Sequence, residues 1–350
     1  MPSSLHRAFS PIDVTEQTRA TQARRIFKVE DTKRTDGFDI IGDVHGHADK
    51  LIGLLETLGY QEHNGVFGHP SRRAIFIGDL IDNGRQNLRV MQIVKAMHDA
   101  QTAHVIMGNH EFNAVGFAIP RPGGDDFLRR HIPENVAHHI EFLEEIPDPV
   151  ERQPWLDWFK TLPLFLDLGP FRVVHACWHE PSLNVLKPYL NADNSLLEHA
   201  WVPAFDESHA LYRATETVLK GVEVDLPKGV SFRDHKDKER WQVRISWWET
   251  APESLAAIAH IPNPARNKDA LNALADLSAD PTVLEEFSYR GTKPVFFGHY
   301  WMKGEPHLQS PLCACVDYSA GRNGPLMAYR WSGETVLNPA HFVGFLPTAD

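Results

Sequence analysis

Asp39-Ile40-Ile41-Gly42-Asp43-Val44-His45-Gly46 is an apolar strand that runs into a glycine and then presents a carboxylate and an imidazole two residues apart. On an extended chain such side chains leave on the same side, as two ligands of one cation must. The pattern recurs at Ala74-Ile75-Phe76-Ile77-Gly78-Asp79, His104-Val105-Ile106-Met107-Gly108-Asn109-His110-Glu111, Phe171-Arg172-Val173-Val174-His175 and Pro294-Val295-Phe296-Phe297-Gly298-His299. Each short apolar run ends in a residue that binds metals. Gly42, Gly78, Gly108 and Gly298 stand immediately before ligands, where a tight strand-to-loop turn needs a residue without a Cβ.

Outward from this stretch, Leu51, Leu54, Leu55 and Leu58 fall at helical spacing over 48–58 and Gly59 closes the helix. A strand over 74–77, a helix over 88–97 and a strand over 103–107 complete a βαβαβ unit, which favours parallel strands with helices outside. Ligands of such sheets collect at the carboxyl ends of strands. Residues 119–163 are rich in proline and charge, with helices expected over 136–145 and 151–161. A hairpin over 164–168 and 171–174 leads to His175. A parallel crossover needs only about a dozen residues, so the long interval before His299 predicts an insertion, residues 178–293, capping the site. Within it a helix is expected over 204–219 and a hairpin over 230–233 and 241–247. Short strands over 312–316, 326–331 and 335–337 close the chain. Residues 1–36 lack period and read as a poorly ordered extension; 37–350 form one domain.

A hydrophobic fraction of 42% and a charged fraction of 23% are those of a packed globular protein. The formal charge of −11 argues against broad nucleic-acid binding, which needs a basic stripe. The three cysteines, Cys177, Cys313 and Cys315, fit neither a disulfide framework nor a paired zinc knuckle and point to a reducing cytoplasm. They read as core residues, as do Trp247 and Trp248, while Arg233–Arg240 reads as a solvated turn. No apolar run approaches the ~20 residues that cross a bilayer, and no secretory segment opens the chain. Neither membrane nor nucleic-acid partners are expected, and oligomeric state is not legible.

Collected, the metal ligands are Asp43, His45, Asp79, Asn109, His175 and His299: nitrogen and oxygen donors without a thiolate. Such a set suits Mn²⁺ first, with Fe, Zn²⁺, Co or Ni as alternatives, in an open catalytic site. Six ligands exceed one open site. If Asp79 bridges, Asp43, His45 and Asp79 hold one ion and Asp79, Asn109, His175 and His299 a second, ~3.5–4 Å away. Two metals so placed lower the pKa of a shared water toward ~7 and clamp the oxygens of an in-line phosphoryl displacement.

Gly42-Asp43-Val44-His45-Gly46, Gly78-Asp79 with Asp82, and Gly108-Asn109-His110-Glu111, followed by His175 and Gly298-His299, resemble the calcineurin-like metallophosphoesterases. The nearest branch is that of the serine/threonine phosphoprotein phosphatases and bacterial diadenosine tetraphosphatases. The resemblance covers about residues 38–115 plus the two later histidines. It implies an α/β fold, a two-sheet β-sandwich flanked by helices, here with an inserted cap. It also implies that His110 is the general acid for the leaving oxygen, oriented by Asp82, with Glu111 supporting the network. The residues agree: His110 adjoins a metal ligand, and a carboxylate partner raises its pKa toward the working range.

The chain also departs from that pattern. Asp82-Asn83-Gly84 stands where the family commonly has Asp-Arg-Gly, and Met107 stands where the phosphoprotein branch has arginine. Asparagine cannot replace a bidentate guanidinium, so Asn83 is expected to contact phosphate with the charge supplied from Arg85, Arg121, Arg129, Arg130 or Arg213, Arg85 and Arg213 being favoured. Ala176 follows the tetraphosphatase branch, whereas Cys177 replaces the glycine of either. The expected reaction is hydrolysis of a phosphomonoester, on a phosphoprotein or small phosphorylated compound, by a metal-bridging hydroxide. The alternatives are dinucleoside polyphosphate hydrolysis and a non-catalytic binding protein, the latter disfavoured by the retained ligands and His110–Asp82 pair.

Overall fold

Alternate residues of the opening strand, β1 (Gly37–Ile41), go to opposite sides: Phe38 and Ile40 enter the layer between two sheets, and Ile41 packs beneath helices. The computed structural model describes residues 35–347 apart from 235–236, 251, 253, 276 and 278–285. The extension expected over 1–36 therefore lies outside the described residues except for its last two.

After β1 come α1 (Ala48–Leu58), a hairpin of β2 (Gln61–His63) and β3 (Val66–Gly68) turning at Asn64-Gly65, β4 (Arg72–Phe76), α2 (Asn87–Asp99), β5 (Ala103–Val105) and α3 (Asn109–Ala118). Three helices follow: α4 (Pro133–His138), α5 (Ile140–Glu145) and α6 (Pro149–Lys160). The hairpin β6 (Phe165–Asp167) and β7 (Arg172–Val174) leads to α7 (Glu180–Leu186), α8 (Trp201–Ala204), α9 (Ala210–Lys220), β8 (Glu223–Asp225), β9 (Phe232–Arg233), β10 (Glu239–Arg240) and β11 (Gln242–Arg244). Then come α10 (Leu255–Ile258), α11 (Lys268–Ala275), β12 (Val295–Phe297), β13 (Cys313–Cys315), β14 (Leu326–Trp331) and β15 (Phe342–Phe345).

One sheet runs β15-β14-β1-β4-β5, with β1, β4 and β5 parallel, β14 antiparallel to β1 and β15 antiparallel to β14; the other runs β13-β12-β7-β6, with only β6 antiparallel. Phe38, Ile40, Ile75 and Tyr329 of the first sheet meet Phe171, Val173, Phe296 and Ala314 of the second in a continuous apolar layer. On the outer faces, the leucines of α1 and the Val90, Met91 and Val94 face of α2 cover the first sheet, while Leu183, Leu211 and Val218 cover the second. The α/β, two-sheet architecture flanked by helices is the expected one. No described helix is long and apolar enough to cross a membrane.

Several expected elements differ. The helix expected over 136–145 breaks at His139, whose φ of −119° and ψ of 14° leave the helical region and turn its ring inward. The helix expected over 204–219 begins at Ala210, where His209 accepts a hydrogen bond from Leu211 N as its cap. The expected hairpin splits: β9 pairs with β10, but Gln242–Arg244 pairs with Glu223–Asp225. The final strand is Phe342–Phe345 rather than 335–337. The three cysteines are buried and free.

Candidate active site

Five strand ends converge. β1 delivers Asp43 and His45, β4 Asp79, β5 the Asn109-His110-Glu111 turn that starts α3, β7 His175 and β12 His299. Asp43, His45, Asp79 and His175 are 1% exposed or less, and Asn109 and His299 8%. His45, Asp79 and His299 take left-handed backbone, with φ of 48°, 49° and 71°. Gly78, with φ 93°, permits a close approach of backbone: a Cβ there would lie 2.2 Å from Gly108 N.

Asp79 sits at the middle. Its Oδ1 accepts from His110 N at 3.0 Å and lies 3.4 Å from His175 Nε2; its Oδ2 lies 3.7 Å from His45 Nε2 and 3.8 Å from His110 Nε2. Burial alone would raise the Asp79 carboxyl, but His175, His110 and His45 outweigh it and hold the group well below the usual carboxylate range. Asp43 goes the other way, pushed up by burial and by the facing carboxylates of Asp317 and Asp79.

The histidine tautomers follow from their partners. His45 Nδ1 donates to Ile81 O at 3.1 Å, and His175 Nδ1 donates to Ile77 O at 2.7 Å. A carbonyl can only accept, so Nδ1 carries a proton in both rings, and in the neutral form Nε2, the nitrogen facing Asp79, is the one free to bind a cation. Asn109 Oδ1 lies 3.0 Å from His175 Nε2. Buried Asp43 Oδ1, His45 Nε2 and both His299 nitrogens have no hydrogen-bond partner among the described residues. Orphaned buried donors and acceptors are costly unless something satisfies them. His45, Asp79 and His110 form one group of close ligand atoms and Asp79, His175 and His299 another, so Asp79 belongs to both. This donor set fits divalent cations of borderline softness.

On the other side of Asp79, His110 Nδ1 donates to Asp82 Oδ2 at 2.6 Å. Burial opposes charge on His110, yet Asp79, Asp82 and Glu111 outweigh it and raise the imidazole to about 9. Asp82 is buried, which opposes its ionisation, but His139 and His110 bring it down to about 2. Glu111 accepts from Asp79 N at 2.9 Å, Leu80 N at 2.7 Å and Gly108 N at 3.0 Å, clasping the two ligand turns together.

The calcineurin-like phosphoesterase family profile matches residues 38–300. The chain belongs to the calcineurin-like phosphoesterases. Among curated relatives, it is 46% identical over 74 residues to the bis(5'-nucleosyl)-tetraphosphatase PrpE (asymmetrical) of Halalkalibacterium halodurans, covering 21% of this chain and 30% of that one. It is 31% identical over 139 residues to the same-named protein of Oceanobacillus iheyensis, covering 39% and 54%. The chain thus spans about half the length, or less, of these relatives. A solved protein serine/threonine phosphatase from Saccharomyces cerevisiae aligns with a TM-score of 0.44 at 12% identity, over 92% of this chain and 82% of that one.

Members of this family use divalent metals, and the His/Asp groups around Asp79 are of the kind that bind them. Of the residues expected at phosphate, Asn83 is exposed with its Nδ2 3.1 Å from His45 Nδ1, and Arg85 and Arg213 are exposed. Three residues of this calcineurin-like phosphoesterase escaped the sequence reading. Arg244, on β11, has its Nη2 3.3 Å from Glu223 Oε1, while its buried Nε lacks a hydrogen-bond partner among the described residues. Burial and then the charge of Arg244 hold His299 well below its ordinary value. Asp317, two residues past the end of β13, accepts from Trp301 N at 2.7 Å and Ser319 N at 2.9 Å; burial leads the causes raising it to about 6. As a carboxylate after a short apolar strand, Asp317 carried the same signal as Asp43. The third is His139, with its Nδ1 2.7 Å from Asp82 Oδ2, which no local pattern marked.

Proposed function

We propose that this chain hydrolyses phosphomonoesters at a pair of divalent cations, Mn²⁺ being the first candidate, in a reducing cytoplasm. Asp43, His45 and Asp79 would hold one cation, and Asp79, Asn109, His175 and His299 the other. Bound there, the cations supply the charge that acidifies a water and clamps phosphoryl oxygens. Asp82 fixes the His110 ring so that Nε2 faces the Asp79 cluster, and from there His110 gives its proton to the leaving oxygen. Glu111 keeps the Asp79 and Asn109 turns in register. Arg244 is taken to face the phosphate beside His299, with Asn83 and Arg85 on the rim and Arg213 available to outer parts of the substrate.

The carrying observation is the 2.6 Å contact between His110 Nδ1 and Asp82 Oδ2, with Nε2 3.8 Å from Asp79. An alkoxide leaving group needs a proton, and a positioned acid contributes about 10²–10⁴ in rate. A nucleotide leaving from a phosphoanhydride needs one far less.

A second reading, hydrolysis of a dinucleoside polyphosphate, is favoured by the relatives' names and by a cavity of about 310 Å³ lined by Trp301, Lys303 and Arg322. The Trp301 ring lies 5.5 Å from that of His45, and the Arg322 guanidinium 4.7 Å from Trp301. An aromatic surface flanked by cations suits a nucleotide leaving group.

Assays with Mn²⁺ on p-nitrophenyl phosphate, a phosphopeptide and diadenosine tetraphosphate separate the readings. Higher kcat/KM on the monoesters, with His110→Asn lowering turnover about 10²–10⁴ at unchanged metal content, is expected. Nucleotide release from the tetraphosphate at far higher kcat/KM would replace the first reading by the second. Full turnover in His110→Asn would remove the acid assignment.

A further inference from the structure

Asp82 offers a single carboxylate oxygen to two imidazoles. Oδ2 accepts from His110 Nδ1 at 2.6 Å and from His139 Nδ1 at 2.7 Å, while Oδ1 is buried with no hydrogen-bond partner among the described residues. Among the described residues no other hydrogen bond holds the twist of the carboxylate. A carboxylate and one imidazole can swing together about their shared bond; a second donor, anchored on a separate segment, removes that freedom. His139 is so anchored. It is the joint between α4 and α5, its backbone N donates to Val136 O at 3.0 Å, and its ring stands edge-on to Phe117 at 5.7 Å. The residue is buried at 1% exposure, and its Nε2 has no hydrogen-bond partner among the described residues, so the ring's one hydrogen bond there is through Nδ1. The chain breaks a helix to bring this ring to Asp82.

The geometry points to His139 as a positioning residue: it locks the Asp82 carboxylate so that His110 Nε2 stays aimed at the leaving oxygen. This rests on the reading of His110 as the general acid. His139 reaches the acid through the shared Asp82 Oδ2, its own ring standing 6.3 Å from that of His110.

The test uses the full chain loaded with Mn²⁺ and two aryl esters. The p-nitrophenolate of p-nitrophenyl phosphate leaves with little help from a proton; the phenolate of phenyl phosphate needs more. His139→Phe should lower kcat on phenyl phosphate about 10-fold, the usual cost of losing a partner one shell out. KM and metal content should hold, and the loss should be clearly smaller on p-nitrophenyl phosphate. His139→Asn, whose side-chain nitrogen falls where Nδ1 was, should restore kcat on phenyl phosphate; His139→Gln, whose nitrogen falls nearer Nε2, should not. If the phenylalanine variant does not fold, the asparagine and glutamine variants carry the comparison. Undiminished kcat in the phenylalanine variant, equal losses on both esters, a raised KM, or asparagine and glutamine behaving alike would overturn the assignment. His110→Asn runs beside them: its collapse with intact His139 variants sinks only the positioning role, whereas its survival sinks the acid assignment itself.

Discussion

Three of the ligand residues, His45, Asp79 and His299, sit in left-handed backbone with φ between 48° and 71°. Such conformations cost on the order of 1–3 kcal/mol each in residues with a Cβ and persist where the surroundings impose them. Gly78 makes this possible for Asp79. Gly78→Ala should therefore destabilise the fold by at least about 2 kcal/mol, from the left-handed φ together with the clash at Gly108. Urea unfolding showing wild-type stability would refute this. The glycine and the ligand after it were both legible in sequence, because an apolar run ending Gly-Asp or Gly-His is a local pattern. Asp317 was as legible in principle, at the end of a strand that the periodicity did reveal. His139 was not, because what matters is its contact with a residue of a distant loop, and nothing in Val136–Glu145 marks one histidine above its neighbours.

At the scale of elements, α5 serves the loop that holds the acid. Glu145 Oε2 accepts from Asn87 N at 2.6 Å and Asn87 Nδ2 at 2.9 Å, and Oε1 accepts from Leu88 N at 2.9 Å, so Glu145 caps α2 from outside. Asn87 Oδ1 in turn accepts from Asp82 N at 2.7 Å. Removing the carboxylate strips the helix N-terminus of an anion and a cap. Glu145→Ala should cost about 1–2 kcal/mol and lower kcat as well. A melting temperature and kcat equal to wild type would show that α5 is not coupled to this loop. The long, strongly periodic elements, α1 and β14, were legible to the residue. In 119–163 the helix expected over 151–161 is found at Pro149–Lys160, whereas the one expected over 136–145 breaks where the His139 ring turns to Asp82, a contact its own spacing does not show.

Across the whole molecule, the residues between β7 and β12 bring Arg244 beside the site, and His260 stands in the same wall. His260 N donates to Arg244 O at 2.7 Å, and its ring packs 5.4 Å from Trp248 and 5.0 Å from Tyr300. Burial first, then Arg244, pushes its imidazole down to about 4 from an ordinary 6.5. The folded chain thus binds fewer protons than the unfolded chain between those values, so this group makes stability fall as pH drops from 6.5 toward about 4 and adds no slope above. His260→Phe should flatten that part of the curve, read by urea unfolding at pH 5 and 7.5 in chelator; an unchanged slope would remove His260 as the cause. The pairing of β8 with β11 escaped the sequence reading because two-residue and three-residue strands carry almost no period.

Metal content tests the converging strand ends most directly. Elemental analysis of the purified chain after equilibration with Mn²⁺ should find two ions per chain, and Asp79→Asn, which removes the carboxylate common to both ligand groups, should lose both while remaining folded. Two ions retained in Asp79→Asn, or none bound by the wild-type chain, would contradict a shared two-cation centre.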